Sequence, residues 1–141
     1  MKKILFYPLT CNPPHYGHAL AVKIALEGLT FDEVWIFPSG KRVDKEIPTS
    51  LEDRKNLSFL FVEYLQKEVS VPVIAMTTAV DGTDERYTHE IILEIKSHPG
   101  NEIFQLCGTD GFTGIKERKI GENEKFIIIK RPGHYKRITP C

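Results

Sequence analysis

The sequence predicts an α/β protein with a doubly wound parallel sheet, and two features support this prediction. Short apolar runs, such as residues 4–7 and 34–37, have the composition of strands that are buried on both faces. Between such runs, apolar residues recur at the spacing of amphipathic helices. Apolar strands that alternate with amphipathic helices are typical of βαβ units, in which helices cover both faces of a parallel sheet.

The first three elements have clear local boundaries. The first strand, residues 4–7, ends at Pro8 because proline lacks the backbone N–H that a strand uses. A helix follows over residues 19–27, and Gly28 supplies its C-cap. The second strand, residues 34–37, stops at a Pro-Ser-Gly turn.

The later elements follow the same alternation. Ser50 and Asp53 have the spacing of a capping box, so a second helix begins there. Thr88 is placed to cap a third helix. The remaining strands are predicted at residues 71–76, 103–107 and 126–129. The expected architecture is therefore a Rossmann-like sheet of about five strands with helices on both faces.

Composition limits the classes of function. A chain of 141 residues with 41% hydrophobic and 27% charged residues fits one globular domain. Its formal net charge of zero favours neither nucleic acid nor a membrane surface, and no apolar run has membrane-spanning length. Three cysteines without a spacing pattern, Cys11, Cys107 and Cys141, argue against a disulfide framework, so a cytoplasmic location is expected.

The loop after the first strand, "PLTCNPPHYGH", has the strongest chemical signal. It lacks the glycine patterns of dinucleotide-binding and P-loop proteins. His15 and His18 are three residues apart near a helix start, so both imidazoles can point to one side, where the helix N-terminus favours an anion. A polyphosphate fits this arrangement best; a zinc ion and a packed turn are the alternatives. Gly17 allows a close approach to the backbone.

The same loop carries a family resemblance. "CNPPHYGH" resembles the (T/S)-x-F-(N/D)-P-x-H-x-G-H signature of the HxGH nucleotidyltransferases. Downstream, "FDEVWIFPSG", "SLEDRKNL", "RYTHEIILEIK", "LCGTDGF" and "FIIIKRPG" resemble further segments of that superfamily in the same order. The chain looks most like a nicotinate or nicotinamide mononucleotide adenylyltransferase, and the resemblance extends over nearly all of it.

The resemblance implies a reaction. Such enzymes transfer an adenylyl group from ATP to a pyridine mononucleotide, which gives a dinucleotide and pyrophosphate in NAD biosynthesis. The mononucleotide phosphate attacks the α-phosphorus directly, so no enzyme nucleophile is required. The implied partners are ATP and the mononucleotide. The implied cofactor is Mg²⁺ bound through the ATP phosphates, with no metal ligand on the chain.

The resemblance also implies site residues, matched position by position. Groups implied in catalysis are His15, His18 and Lys45. Positions implied in ATP binding are Thr10, Gly17, His18, Gly108, Asp110 and Arg131. Positions implied in mononucleotide binding are Asn12, Lys45, Tyr87 and Thr88. Arg54 matches a family arginine, with a surface residue in an ion pair as the alternative, and Thr88 is either a pocket residue, a helix cap or both.

The chain departs from the family pattern at three places. Pro8-Leu9 stands where the family usually has a glycine pair before Thr10, and Cys11 replaces the common Phe. The second-loop run P-P-H-K becomes Arg42-Val43-Asp44-Lys45, and the C-terminal I-S-(S/T)-T-x-x-R motif for ATP phosphates is absent. We expect a single nucleotidyltransferase domain over residues 1–141 that lacks this segment. A related transferase with a pantetheine-phosphate or cytidylyl-type reaction, and a non-catalytic nucleotide-binding homologue, stay open, as does assembly into a homo-oligomer.

Overall fold

The computed structural model describes residues 1–11, 13–41, 47–82, 86–109 and 124–130, and they contain a five-stranded parallel sheet. Its strands are β1 (Lys2–Leu9), β2 (Glu33–Pro38), β3 (Val73–Ala75), β4 (Asn101–Gly108) and β5 (Lys125–Ile129). The helices are α1 (Tyr16–Gly28), α2 (Leu51–Glu68) and α3 (Thr88–Lys96), with a 3₁₀ turn at Thr78–Val80. The strand order is β3-β2-β1-β4-β5, and every pair is parallel, which confirms the predicted doubly wound architecture.

Alternate side chains of β1 enter two separate cores. Leu5 and Tyr7 belong to a cluster that includes buried residues of α1 and α2. Ile4 and Phe6 belong to a second cluster, which includes Ile91 of α3. Because successive strand residues point to opposite faces, helices cover the sheet on both sides. This explains why the β1 sequence is apolar without alternation.

The prediction that β1 ends at Pro8 is wrong, and the pairing explains why. Leu9 accepts a hydrogen bond from the Ser39 N–H at 2.7 Å, so the backbone of Leu9 faces β2. Adjacent residues of a strand face opposite neighbours, so Pro8 faces β4. The register between β1 and β4 ends at Phe6. Pro8 therefore occupies a position where the ladder requires no N–H donor.

Two predicted helix caps are also displaced by one residue. Gly28 is the last residue of α1, and the C-cap is Leu29 in an extended conformation. The N-cap of α3 is Tyr87, which leaves Thr88 as the first helical residue with another use for its hydroxyl. Ser50 caps α2 as predicted, since its side chain accepts a hydrogen bond from the N–H three residues on. The three later strands are present, with bounds shifted by at most two residues.

The topology determines where a ligand can bind. The connection from β1 leads to β2 on one side of the sheet, and the connection from β4 leads to β5 on the other side. The direction of the strand order therefore reverses between β1 and β4. Ligands of open α/β sheets bind beyond the carboxyl ends of the strands at such a reversal. The carboxyl ends of β1, β2 and β4 lie at this edge of the sheet, and most of the residues that the sequence predicts as functional follow these strands along the chain.

Candidate functional site

His15 and His18 form a reciprocal cap at the start of α1. The N–H of Gly17 donates to Nδ1 of His15 at 3.0 Å, and the N–H of His15 donates to Nδ1 of His18 at 3.0 Å. The two rings lie 3.8 Å apart between centroids, with 33° between their planes. The predicted placement of both imidazoles on one side of the first turn is therefore confirmed.

The cap assigns the proton on each ring. A backbone N–H is a donor, so each Nδ1 supplies its lone pair and the neutral ring carries its hydrogen on Nε2. Protonation at Nδ1 would remove the acceptor and break the cap. The Nε2–H of each neutral ring is therefore outside the cap, at a helix N-terminus where N–H groups suit phosphate oxygens. Nε2 of His15 is itself buried.

Aromatic neighbours hold the ring of His18. It lies edge-to-face with Tyr7 of β1 and with Phe61 of α2, at centroid distances of 6.1 and 6.4 Å. His18 is 1% exposed, whereas His15 is partly buried. The rotamer of His18 is consequently fixed by packing, which keeps its polar atoms in place without a reorganisation step.

Gly17 makes the histidine pair sterically feasible. A Cβ at this position would lie 2.8 Å from Cε1 and 2.9 Å from Nδ1 of His15. Real Cβ atoms do not approach so closely, so any other residue would displace the His15 ring. The close approach expected at Gly17 is therefore made by a side chain of the same loop.

The turn after β2 is held at Gly40. Its N–H donates to Oγ1 of Thr88 at 3.0 Å, and the Thr88 hydroxyl in turn donates to the carbonyl of Lys41 at 2.9 Å. A Cβ on Gly40 would lie 2.2 Å from the carbonyl oxygen of Ala79, so this position requires glycine. Thr88 thus joins α3 to the turn after β2, rather than capping its own helix.

Arg54 is buried beside the same turn. It is 4% exposed, its Nη1 makes a long 3.5 Å contact with the carbonyl of Gly40, and its Nε has no hydrogen-bond partner. No carboxylate in the described ranges forms an ion pair with it. Burial lowers the pKa of the guanidinium, and the electrostatic influence of Cys11 acts in the opposite direction. The alternative of a surface residue in an ion pair is therefore wrong.

Tyr87 precedes α3, and its ring lies next to one cationic group and one further aromatic ring. The ammonium of Lys41 lies 4.6 Å from the centroid of its ring, within the range of a cation–π interaction. The ring of His89 is stacked on it, with centroids 6.0 Å apart and 18° between the planes. The half-buried Tyr87 ring thus lies at the carboxyl edge of the sheet next to a positive charge.

The other predicted positions divide into described and undescribed ones. Thr10 is buried directly after β1, and Gly108 is the last residue of β4, paired with Ile129. Four predicted residues lie outside the described ranges: Asn12, Lys45, Asp110 and Arg131. Their roles stay predictions from the sequence motifs.

The two described cysteines near this edge of the sheet differ: Cys11 has an unusual backbone conformation, and Cys107 has a raised thiol pKa. Cys11 follows β1 with a φ of 57°, a left-handed conformation that is strained for a residue other than glycine, and it is fully buried. Burial raises the pKa of the Cys107 thiol to about 11, so it stays protonated and is a poor nucleophile. Within the described residues, no three His, Cys, Asp or Glu side chains converge on a metal site.

Sequence reasoning did not identify Gly40 and Lys41 as parts of the site. The sequence predicts the Pro-Ser-Gly segment only as a strand stop, because its second role depends on α3, about fifty residues away along the chain. The one available signal was position: both residues follow a parallel strand at the edge where ligands bind.

Comparison with known families decides the affiliation of this chain. A family model described as cytidylyltransferase-like matches residues 7–141. The chain belongs to the cytidylyltransferase-like family. This agrees with the nucleotidyltransferase resemblance of its sequence motifs.

Curated relatives are similar to this cytidylyltransferase-like chain over most of its length. Three proteins named probable nicotinate-nucleotide adenylyltransferase are each 30% identical to it. That of Agrobacterium fabrum matches over 86% of this chain and 65% of its own length, that of Bacillus cytotoxicus over 95% and 72%, and that of Shouchella clausii over 99% and 74%. The chain therefore spans 65–74% of the length of these relatives.

Solved structures share the fold of the cytidylyltransferase-like chain. The nicotinic acid mononucleotide adenylyltransferase of Plasmodium falciparum, complexed with NaAD, aligns with a TM-score of 0.70 and 20% identity over 96% of this chain and 67% of that one. A putative nicotinate-nucleotide adenylyltransferase from Vibrio parahaemolyticus aligns with a TM-score of 0.55 and 23% identity over 94% and 78%. Among the helices that are described, none is both long and apolar enough to span a membrane.

Proposed function

We propose that this protein transfers the adenylyl group of ATP to nicotinate mononucleotide, giving a dinucleotide and pyrophosphate in NAD biosynthesis. The observation that carries the proposal is the reciprocal cap of His15 and His18, which places two imidazoles at the N-terminus of α1 with the Nε2–H of each outside the cap. The names of the relatives support the choice of reaction and of the acid form of the pyridine. We propose one nucleotidyltransferase domain over residues 1–141.

In this proposal the chain acts by positioning and by hydrogen bonding. A phosphate oxygen of the mononucleotide attacks the α-phosphorus of ATP, the bond to the β-phosphate oxygen breaks, and pyrophosphate leaves. His15 and His18 donate to ATP phosphate oxygens, where negative charge develops. Thr10 and Gly17 shape the loop. Mg²⁺ would arrive bound to ATP phosphates and supply charge neutralisation there.

The second substrate would bind beside Tyr87. Its ring offers an aromatic surface at the same edge of the sheet, and Thr88 positions the neighbouring turn through Gly40. From the motifs, we assign Asn12 and Lys45 to the mononucleotide, and Gly108, Asp110 and Arg131 to ATP.

We place the reaction in the cytoplasm. Cys107 is a buried thiol without a disulfide, which is consistent with a reducing compartment.

The histidine pair provides a matched test. In His15→Asn, the side-chain oxygen can still accept from the Gly17 N–H, but the Nε2–H donor is lost. His98 has the same local bond, with its Nδ1 accepting from the Gly100 N–H at 3.3 Å, and it lies exposed away from the site. We expect His15→Asn to lower kcat about 100-fold or more at near wild-type thermal stability, and His98→Asn to leave kcat unchanged.

The assay measures pyrophosphate and dinucleotide from ATP, Mg²⁺ and nicotinate mononucleotide. Equal turnover by His15→Asn and His98→Asn would contradict the role of the histidines. Turnover with CTP and not with ATP would favour the cytidylyl alternative. Binding of ATP without release of pyrophosphate from any acceptor would identify a non-catalytic nucleotide-binding homologue.

A further inference from the structure

Lys41 is attached to the start of α3 by its own carbonyl. That oxygen accepts two hydrogen bonds from Thr88, from the backbone N–H at 2.8 Å and from the hydroxyl at 2.9 Å. Thr88 is buried, so the donor side of these bonds is shielded from water. The backbone of Lys41 is therefore fixed relative to the first turn of α3.

Gly40, the residue before Lys41, is held by contacts with several other elements. Gly40 donates its N–H to the Thr88 hydroxyl, and its carbonyl oxygen lies 3.5 Å from Nη1 of Arg54 in α2. Its Cα packs on the backbone of Ala79. The strand side is fixed as well, because Ser39 donates to the carbonyl of Leu9 at the end of β1. The Lys41 side chain therefore starts from a point that four elements define.

The ammonium of Lys41 has a ring as its neighbour rather than a carboxylate. It lies 4.6 Å from the centroid of Tyr87, and none of the ion pairs in the described ranges includes it. By contrast, Lys55 of α2 pairs with Asp81 at 2.8 Å. An ammonium on an aromatic face, with no ion pair to a carboxylate among the described residues, can bind a ligand that has both a ring and a negative charge.

We propose that Lys41 is a specificity-determining residue that selects a pyridine ring bearing a carboxylate over one bearing a neutral amide. The pyridine ring would stack beside Tyr87, and the ammonium would pair with the carboxylate. A neutral amide would gain no charge pairing and would have to compete with the existing cation–π contact. This inference rests on the proposed function, since it concerns the acceptor of the same reaction.

A lysine at the opposite edge of the sheet provides a matched control. Lys3, near the amino end of β1, also lies over aromatic rings, 5.5 Å from Phe31 and 5.1 Å from Phe104. Lys41→Met and Lys3→Met each remove one ammonium from an aromatic surface. Lys41→Arg keeps the charge in place. The probes are nicotinate mononucleotide and nicotinamide mononucleotide, each tested with ATP and Mg²⁺.

The readout is the ratio of kcat/KM for the acid to kcat/KM for the amide. We expect Lys41→Met to lower this ratio about tenfold, mainly through KM for the acid, as the loss of a hydrogen-bonded charge pair predicts. Lys41→Arg should keep most of the preference, and Lys3→Met should keep all of it. An unchanged ratio in Lys41→Met, or an equal loss for both substrates, would overturn the assignment of Lys41.

Equilibrium binding separates this inference from the proposed function. If the wild-type protein turns over neither mononucleotide, the proposed function fails, and dissociation constants measured by calorimetry then judge Lys41 alone. Weaker binding of the acid to Lys41→Met, with the amide unaffected, would support the inference. Unaltered relative affinities, or no binding of either mononucleotide to the wild type, would overturn it.

Discussion

Replacement of Thr88 by valine tests the connection between α3 and the turn after β2. Valine keeps the shape of threonine but has no hydroxyl. The N–H of Gly40, a buried donor, would lose its acceptor at 3.0 Å, and the carbonyl of Lys41 would lose one of its two donors. That carbonyl would keep the bond from the Thr88 N–H at 2.8 Å, so Gly40 is the group left unsatisfied.

The expected loss of stability follows from these two bonds. A buried donor without a partner costs about 1–3 kcal/mol, and the second bond contributes less because its acceptor stays paired. We expect Thr88→Val to lower the free energy of unfolding by about 2 kcal/mol. For a chain of this length, that corresponds to a decrease of about 6 °C in Tm.

Urea denaturation and thermal melting followed by circular dichroism measure this loss. Thr88→Ser keeps both bonds and loses one methyl group, so it should cost about 1 kcal/mol or less. Thr30→Val makes the same chemical change at an exposed position and should stay within about 0.5 kcal/mol of the wild type. If Thr88→Val is as stable as Thr30→Val, the hydroxyl does not hold the turn and the reasoning is refuted.

Two further predictions concern the histidine cap and the opposite edge of the sheet. Gly17→Ala should displace the His15 ring, lower stability by about 1–3 kcal/mol and reduce turnover. The control is Gly28→Ala, whose Cβ would meet nothing within 4 Å and which should retain full turnover. Equal stability and turnover of the two variants would contradict the steric argument. The hydrogen bond from Lys2, and to a smaller extent the one from Trp35, lowers the pKa of Glu33 in the folded protein. The stability that the Glu33 carboxylate contributes is therefore present above its unfolded pKa of 4.5 and is lost as pH falls through its folded pKa. Glu33→Gln should therefore be less stable at neutral pH and lose less stability on acidification; unfolding curves between about pH 3 and 7 with the same slope for both proteins would refute this.

The parts of the molecule that the sequence predicts well depend on neighbours along the chain. The parallel sheet follows from apolar runs, because strands buried on both faces need no polar side chain. The proximity of His15 and His18 follows from a spacing of three residues at a helix start. In both cases the residues that interact follow a short or repeating pattern along the chain, so the sequence alone is enough to predict the structure.

Other features depend on distant partners and were not predictable. The sequence predicts Thr88 as a pocket residue, a helix cap or both, since threonine favours the cap position, but its hydroxyl bonds to residues 47 and 48 positions away. Arg54 lies on a helix where a charged residue normally faces water, and its burial follows from packing against the turn at Gly40. The left-handed conformation of Cys11 has no signal in its residue type.

The proline within β1 has a consequence for recognition at the crevice. Beyond Phe6 the ladder between β1 and β4 ends, and Pro8 is the β1 residue that faces the gap. A proline there leaves no N–H unsatisfied, so the two strands can diverge without a loss of hydrogen bonding. On the β1 side, Pro8 then presents a carbonyl and no amide donor to the gap, and a carbonyl accepts from hydroxyl or amino groups. In the proposed reaction, phosphate oxygens would find their donors at the start of α1 instead, so the two ends of a nucleotide would be bound by different groups.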